Sequence, residues 1–220
     1  MSAAPPPADP LILVLGSRNR KKCSEMATLI RPPWEHTRIL DRLQIRSIDE
    51  FPGTPDVHED ADTFSGNARK KASELARALG HWVLADDSGL AVDALRGAPG
   101  VLSARYAGEP CDDRANNLKL LEALQNVAEE RRGAAFRCAL AVSDPSGQIR
   151  LEADGACRGR ILREPRGSLG FGYDPLFLIP EYHRTFGELS SLVKHQLSHR
   201  SRAFAHLRSG LNALLVSIAD

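Results

Sequence analysis

Two kinds of strand pattern in one chain limit the folds it can adopt. Leu11–Leu15 and residues 82–85 are short, continuous apolar runs, which are typical of buried strands. Residues 136–142 alternate in character instead, and a turn at 144–147 connects them to a hairpin partner at 148–153. Because buried strands, helices and a hairpin occur together, the sequence predicts a mixed α/β fold rather than a doubly wound parallel sheet.

The clearest predicted helix covers residues 63–79. Its apolar side chains recur at steps of three and four residues, from Phe64 to Leu79, and Gly80 ends it. The other predicted elements are a helix reaching Ile30 before Pro32-Pro33, a helix capped by Asp112 or Asp113, a last amphipathic helix beginning at Ser198 or Ser201, and strands near 37–40, at 155–162 and at 176–179.

Composition narrows the class of partner. The formal net charge is +1, so no bulk electrostatic attraction for nucleic acid or for a membrane surface is expected. A small polyanionic ligand needs only a few local cations. The four cysteines form no C-x-x-C pair, which argues against a disulfide framework or structural zinc and fits a reducing cytoplasm.

The first ten residues differ in composition from the rest of the chain. Residues 1–10 are rich in Pro and Ala and lack the features of a signal peptide, so we expect a flexible tail. No apolar stretch reaches membrane-spanning length. Residues 11–220 contain no long linker and are predicted to form a single domain.

Residues 17–22 join the first buried strand to a helix. Backbone N–H groups at a helix start attract phosphate, Arg18 and Lys22 add positive charge, and Asn19 can bond a phosphate or ribose oxygen. The Walker A pattern is absent. Taken alone, the segment is better explained as a solvated basic helix start.

Two acidic segments are candidate metal sites. Glu59, with Asp60 and Asp62, precedes the helix at 63–79 and either caps it or supplies a ligand for magnesium. Asp86 and Asp87 follow an apolar strand and begin an Asp-Asp-Ser-Gly turn, where α/β ligand sites form. Successive strand residues face opposite ways, so we predict that one aspartate faces the substrate while the other accepts backbone N–H bonds and holds the loop.

A glycine-rich loop at 167–175 is a candidate base site. Its glycines permit close approach of a ligand, Phe171 and Tyr173 offer faces on which a base can stack, and Asp174 can accept a hydrogen bond from a ring N–H. A loop with buried aromatic residues explains the same sequence equally well, so both interpretations stay open.

A third basic group lies near the C-terminal helix. Lys194, His199 and Arg200 are close in sequence and suggest a site for an anion or a base edge. His195 and His199 are four residues apart, as in a zinc pair, but no third ligand has suitable spacing. Either histidine alone is as readily a surface residue.

Taken in order, these segments resemble the inosine triphosphate pyrophosphatase family, also called the Ham1-like proteins. Six ordered blocks carry the resemblance: Ser17-x-Asn19-x-x-Lys22; Glu59-x-x-x-Thr63-Phe64-x-x-Asn67-Ala68-x-x-Lys71-Ala72; Ala85-Asp86-Asp87-Ser88-Gly89-Leu90; Pro99-Gly100-x-x-Ser103-Ala104-Arg105-Tyr106-Ala107-Gly108; Gly170-Phe171-Gly172-Tyr173-Asp174-Pro175-Leu176-Phe177; and Glu188-Leu189 with Lys194-x-x-x-Ser198-His199-Arg200. Ser17 stands where many members have Thr, and Arg18 and Gly187 replace common small residues, which affects loop stiffness or phosphate affinity rather than the reaction.

The resemblance implies an elongated mixed-sheet fold with two lobes around a central nucleotide-binding cleft, usually as a homodimer. It implies hydrolysis of ITP, dITP and XTP to the monophosphate and pyrophosphate, a house-cleaning role. Following the family, Asp87 binds Mg²⁺ and activates water, Glu59 is the second metal ligand, and Asp86 orients the loop. The residues implied to bind substrate are Ser17, Arg18, Asn19, Arg20, Lys21, Lys22, Ser88, Phe171, Gly172, Tyr173, Asp174, Lys194, His199 and Arg200, and Lys71 is placed in reach of the same pocket.

The pattern of hydrogen-bond donors and acceptors on the base provides a hypothesis for how the base is selected. Hypoxanthine and xanthine carry a 6-oxo acceptor and an N1–H donor. Donors near O6, such as His199 and Arg200, would therefore bind these bases and would face the amino donor of adenine without forming a hydrogen bond. Such mismatches give discrimination on the order of 10⁴. Two alternatives stay open: a pyrophosphatase for other modified nucleotides, and a non-catalytic nucleotide sensor. The sensor is disfavoured by the presence of both Glu59 and Asp87.

Overall fold

The third strand in the spatial order of the sheet marks a change from parallel to antiparallel pairing. The computed structural model describes residues 10–31 and 43–219. Seven strands of that part form one sheet in the order β2-β1-β3-β4-β5-β6-β7. They are β1 (Leu11–Leu15), β2 (Leu43–Ser47), β3 (Trp82–Val92), β4 (Gly133–Ser143), β5 (Ile149–Ile161), β6 (Phe177–Ile179) and β7 (Arg184–Thr185). β1 runs parallel to β2 and β3, and every later pair is antiparallel, which confirms the predicted mixed sheet.

Five α-helices of the described residues flank this sheet: α1 (Arg20–Ile30), α2 (Phe64–Leu79), α3 (Asp113–Ala123), α4 (Ser191–Leu197) and α5 (His199–Ala219). The boundaries of α2 agree with the sequence signals. The Thr63 hydroxyl accepts the Gly66 N–H at its start, and Gly80 ends it at a positive φ of 66°. None of the described helices is both long and apolar enough to cross a membrane.

The hydrophobic core is divided along the length of β3. One cluster joins Leu84 to α1 and α5, with Phe204 and Leu207 among its buried members. A second cluster joins Leu90 to the aromatic residues around Phe177. The acidic residues of β3 lie in sequence between Leu84 and Leu90, so two rigid clusters hold the strand on either side of them.

The predicted turn at residues 86–89 is wrong. β3 continues through it, and Asp86 pairs with Leu140 while Asp87 pairs with Ala139 of β4. Gly89 lies within this strand rather than in a turn. A Cβ at this position would collide with the Ser103 hydroxyl and the Gly100 carbonyl. The glycine instead allows a 3-10 segment, Gly100–Arg105, to pack directly on the strand.

The two strands predicted at 148–153 and 155–162 form the single strand β5. Gly155 does not break this strand. A glycine stands there because a Cβ would collide with the backbone of His199 and Ala203 in α5. This glycine marks the close approach of a helix to the sheet. The strand predicted near 37–40 and the Pro32-Pro33 stop lie outside the described residues, and β2 occupies a stretch that was expected to be a connection.

Candidate functional site

The β1–α1 junction and the centre of β3 face a common cleft. Its volume is ≈ 390 Å³. Among the residues that line it are Ser17, Arg18, Asn19, Lys22, Glu59, Lys71, Asp87 and Ser88. The Asn19 side chain accepts hydrogen bonds from the backbone N–H groups of Lys21 and Lys22, which fixes the start of α1 at the cleft. Three segments far apart in sequence therefore bring cations, polar groups and the carboxylates of Glu59 and Asp87 together.

Asp87 is buried but faces this cleft. Its Oδ2 atom accepts a hydrogen bond from Asn67 Nδ2 at 3.0 Å, and its Oδ1 atom accepts the Ser88 N–H at 2.8 Å. Burial raises the pKa of Asp87, the Asn67 hydrogen bond opposes this, and the nearby charge of Glu59 adds to it. The raised pKa of Asp87 makes its carboxylate a stronger proton acceptor than an ordinary aspartate.

Glu59 lines the same cleft and is fixed by contacts with Lys71 and Arg105. Its carboxylate accepts a hydrogen bond from Lys71, and its backbone carbonyl accepts one from Arg105 Nη2 at 3.0 Å. The Asn67 Oδ1 atom accepts the Ala61 N–H at 2.8 Å, so α2 positions the Glu59 segment and Asp87 together. Burial opposes the charge on Lys71, but Asp86 and Glu59 raise its pKa.

The donor set of the cleft fits magnesium only with help from a substrate. Within the described residues no cluster of three or more His, Cys, Asp or Glu side chains is arranged to hold a metal. Glu59 and Asp87 provide two carboxylates on one cleft. Magnesium commonly takes one or two carboxylates and completes its shell with water and substrate phosphates, so Glu59 and Asp87 would suffice to hold such an ion once a triphosphate is bound.

Asp86 faces away from the cleft and is 0% exposed. Its Oδ2 atom lies 3.3 Å from Lys22 Nζ and 3.7 Å from Arg200 Nε, and it accepts the Ser88 hydroxyl at 2.6 Å. Burial opposes its charge, but the cations hold the pKa of Asp86 well below its usual range. The prediction that it holds a loop through backbone N–H bonds is wrong, because the backbone here pairs with β4.

The loop predicted to bind a base forms a second group of polar contacts. Lys194 Nζ lies 4.7 Å from the centroid of the Phe171 ring and 2.6 Å from Asp174 Oδ2. Asp174 also accepts the Phe171 N–H at 2.9 Å, and Lys21 Nζ lies 5.6 Å from the same ring. Burial raises the pKa of Asp174 against the effect of Lys194. Gly172 belongs to this loop.

Glu25 connects the two groups. Its carboxylate is bonded to Arg200 and lies 3.7 Å from Lys194 Nζ. Arg200 Nη2 in turn lies 3.5 Å from the Ser88 hydroxyl, beside the cleft. A continuous set of polar contacts therefore leads from the aromatic loop to β3.

Three predicted base contacts face the protein interior instead. Tyr173 is 3% exposed and donates its hydroxyl to the Ser103 carbonyl at 2.8 Å, so its ring offers no stacking face. His199 stacks on Phe136 with a centroid distance of 5.0 Å, and burial lowers its pKa well below the usual range. Arg200 is committed to Glu25, Asp86 and Ser88. The donors proposed for O6 are therefore not at the surface of the site in this structure. Arg20, at the exposed first turn of α1, does not line the cleft.

Comparison with known proteins identifies the family. The Ham1 family model matches residues 13–210.

The chain belongs to the Ham1 family.

Two relatives and one solved structure illustrate the similarity. A dITP/XTP pyrophosphatase of Rhodopirellula baltica is 55% identical over 191 residues, covering 87% of this chain and 88% of that protein. A dITP/XTP pyrophosphatase of Desulforamulus reducens is 50% identical over 204 residues, covering 93% and 97%. The structure of a HAM1 protein from Coxiella burnetii superimposes with a TM-score of 0.81 at 39% identity, covering 92% of this chain and 99% of that one.

Three residues that form contacts in this Ham1-family site were not predicted from the sequence: Asn67, Glu25 and Arg105. Asn67 has a visible signal, since it lies one helical turn from Lys71 and both are buried on α2. Glu25 occupies a similar position one turn after the 17–22 segment. Arg105 has no local signal, because it reaches the cleft only through the packing of Gly100–Arg105 on β3.

Proposed function

We propose that this Ham1-family protein hydrolyses the non-canonical purine nucleoside triphosphates ITP, dITP and XTP to the monophosphate and pyrophosphate, and so removes deaminated purines from the nucleotide pool. The observation that carries the proposal is the cleft, in which a basic helix start faces two carboxylates, Glu59 and Asp87. Relatives named dITP/XTP pyrophosphatases, 55% and 50% identical to this chain, support the same substrate class.

Different residues of the chain have different roles in the proposed hydrolysis. Asp87, with its raised pKa, accepts the proton of a water molecule that attacks the anhydride between the α and β phosphates. Ser17, Asn19 and Lys22 bind the phosphate tail, with Lys22 anchored by Asp86. Mg²⁺ held by Glu59 and Asp87 would neutralise phosphate charge when bound.

The second polar group is the proposed base site. Phe171 provides the stacking face, and Lys194, above that face, replaces His199 and Arg200 as the donor proposed for the 6-oxo group. Adenine presents an amino group at that position, which cannot accept a hydrogen bond from Lys194, so the N–H that would meet the 6-oxo group is left unpaired while the ammonium keeps its contact with Asp174. Such a mismatch gives discrimination on the order of 10⁴ when the site excludes water.

The proposal extends to assembly and location. We propose a homodimer of chains, each with residues 11–220 as one domain, and a reducing cytoplasm as its compartment. Family resemblance supports the dimer. The cysteines at 23, 111, 138 and 157 are all free thiols, which is consistent with a reducing compartment.

A substrate panel tests the function. ITP, dITP, XTP, ATP and GTP are supplied with Mg²⁺, and pyrophosphate and orthophosphate are measured separately. We expect pyrophosphate without orthophosphate, and kcat/KM for ITP and XTP well above that for ATP and GTP. Equal turnover of ATP and GTP would contradict base selection, and release of orthophosphate would contradict cleavage at the α–β bond.

The same panel separates the two alternatives. Methylated purine and modified pyrimidine triphosphates are added at matched concentration, and faster cleavage of either would favour a pyrophosphatase for other modified nucleotides. A nucleotide sensor would bind ITP without Mg²⁺-dependent turnover. The presence of both Glu59 and Asp87 on the cleft argues against the sensor.

A further inference from the structure

Arg105 differs from the other lysine and arginine residues that line the cleft. Arg18 pairs with Asp56 at 2.8 Å, Lys22 pairs with Asp86 at 3.3 Å, and Lys71 pairs with Glu59. Arg105 lines the same cleft, yet it forms no ion pair with any carboxylate of the residues described. The other cations are balanced by the protein itself, whereas the charge of Arg105 is available for an anionic ligand.

The guanidinium of Arg105 is held at one end only. Nη2 donates to the Glu59 carbonyl at 3.0 Å, and Nε and Nη1 have no acceptor in the described part of the chain. One hydrogen bond fixes the orientation of the plane while the remaining donors stay available. A planar guanidinium with free N–H groups matches the oxygens of a phosphate in a two-pronged contact, which an ammonium cannot form.

The segment that carries Arg105 is rigidly attached to the rest of the protein. The Ser103 hydroxyl donates to the Gly100 carbonyl at 2.6 Å and accepts the Leu90 N–H of β3 at 2.8 Å. Asn116 of α3 donates to the Ala104 carbonyl at 2.9 Å. Arg105 therefore does not need a loop closure to reach its place, and its donors are preorganised for a ligand.

The position of Arg105 indicates which part of a nucleotide it meets. Phe171 and Lys194, the proposed base site, do not line the cleft, and their polar contacts reach it at Ser88. A nucleotide that extends from Phe171 enters the cleft at Ser88, which directly follows Asp87, whereas Arg105 is held at the separate Glu59 segment. We therefore expect the phosphates farthest from the base, rather than the α phosphate beside Asp87, to lie near Arg105.

We propose that Arg105 binds the β and γ phosphates and stabilises the pyrophosphate that leaves. This inference rests on the proposed function. When water adds and the α–β anhydride bond breaks, the bridging electron pair stays with the departing half, whose negative charge increases. A guanidinium without a protein counter-charge is suited to bind that charge.

The test compares Arg105→Gln and Arg105→Lys with Arg131→Gln, which removes an exposed arginine that does not line the cleft. Binding of inorganic pyrophosphate and of IMP is measured by calorimetry at saturating Mg²⁺. We expect Arg105→Gln to weaken pyrophosphate binding by roughly tenfold or more, as for a lost charged hydrogen bond. Arg105→Lys should lie between Gln and the wild type, IMP binding should change less than about twofold, and Arg131→Gln should match the wild type.

Three outcomes would overturn the proposal. Unchanged pyrophosphate affinity in Arg105→Gln would exclude the contact. An equal loss of IMP affinity would place Arg105 at the α phosphate instead. A higher Mg²⁺ requirement and a lower Tm with unchanged pyrophosphate affinity would show that it only supports the Glu59 segment. Because binding is read without turnover, a wild-type enzyme that binds pyrophosphate but ignores ITP and XTP would contradict the proposed function and leave the Arg105 result standing.

Discussion

Asp86 and Asp87 are the same residue type, adjacent in one strand, yet their environments are opposite. Asp86 is 0% exposed and lies between Lys22 and Arg200, and its pKa is lowered. Asp87 is 4% exposed, accepts a hydrogen bond from a neutral amide and feels the like charge of Glu59, and its pKa is raised. The face of the strand, rather than the residue type, decides what each carboxylate can do.

Asp86 contributes to the stability of the fold, whereas Asp87 is suited to the chemistry of the cleft. The charge of Asp86 is compensated within the protein, and it compensates in return one buried cation, Arg200, and one partly buried cation, Lys22. The charge of Asp87 is poorly compensated by the protein, so the folded state bears a cost that a metal ion or a proton can relieve. We therefore expect substitutions at the two positions to affect different measurable properties.

The largest expected effect is on turnover. Asp87→Asn should lower kcat by about 10³-fold or more, because it removes both the proton acceptor and a metal ligand. The Tm should not fall. A buried carboxylate with a raised pKa destabilises the fold at pH values above its unfolded-state pKa, and this destabilisation disappears as falling pH protonates the group, so removing the charge costs no stability. Pyrophosphate release and calorimetry measure the two quantities. A variant that keeps most of its kcat would refute the assignment of Asp87.

The next effect is on stability. Asp86→Asn should cost about 3 kcal/mol, because Lys22 and Arg200 keep their charges after losing the shared anion. For a chain of this size that lowers the Tm by roughly 6–12 °C. The pKa of Asp86 is lowered in the fold, so its stabilisation is present above the unfolded-state pKa and is lost as pH falls through the folded value.

A matched control is available on the surface. Asp93 forms an ion pair with Arg158 at 2.7 Å, but both side chains are at least half exposed. Asp93→Asn should change stability by less than about 1 kcal/mol. If Asp86→Asn and Asp93→Asn lower the Tm equally, the contrast between a buried anchor and an ordinary surface carboxylate does not hold.

The smallest effect concerns the pH profile. Asn67→Leu removes the hydrogen bond that lowers the pKa of Asp87, so the acid limb of kcat should move to higher pH. Ser65→Ala, an exposed change on the same helix, should leave the limb in place. The measurement is kcat against pH at saturating ITP and Mg²⁺. A limb that stays in place in Asn67→Leu would mean that Asp87 is not the group that titrates.

The opposed faces of Asp86 and Asp87 follow from strand alternation and were predictable from the sequence. The nature of the Asp86 role was not, because Lys22 and Arg200 come from distant parts of the chain. Composition also misled the prediction of a turn, since Asp, Ser and Gly favour turns locally but here pair with β4. Helix α2 was predictable because its apolar stripe, cap and stop are all local signals.

The glycine-rich loop shows where sequence reasoning stops. Stacking and burial were both open for its aromatic residues, and the structure divides them: Tyr173 is buried, whereas Phe171 is partly exposed beneath Lys194. Periodicity cannot distinguish two residues so close together outside a regular element. Tertiary contacts decide, here the hydrogen bond from Tyr173 to Ser103.

The position of β3 between a parallel and an antiparallel neighbour has a consequence for the order of folding. The β4–β5 hairpin closes through the short turn at 144–147, whereas the pairing of β1 with β3 requires closure of the long chain between Leu15 and Trp82. We therefore expect the hairpin side to form early and β1 to dock late, bringing Lys22 to Asp86. Until that last step the nascent molecule has its carboxylates but not the N-terminal residues that would recognise a phosphate, so nucleotide recognition arises only when the sheet is complete.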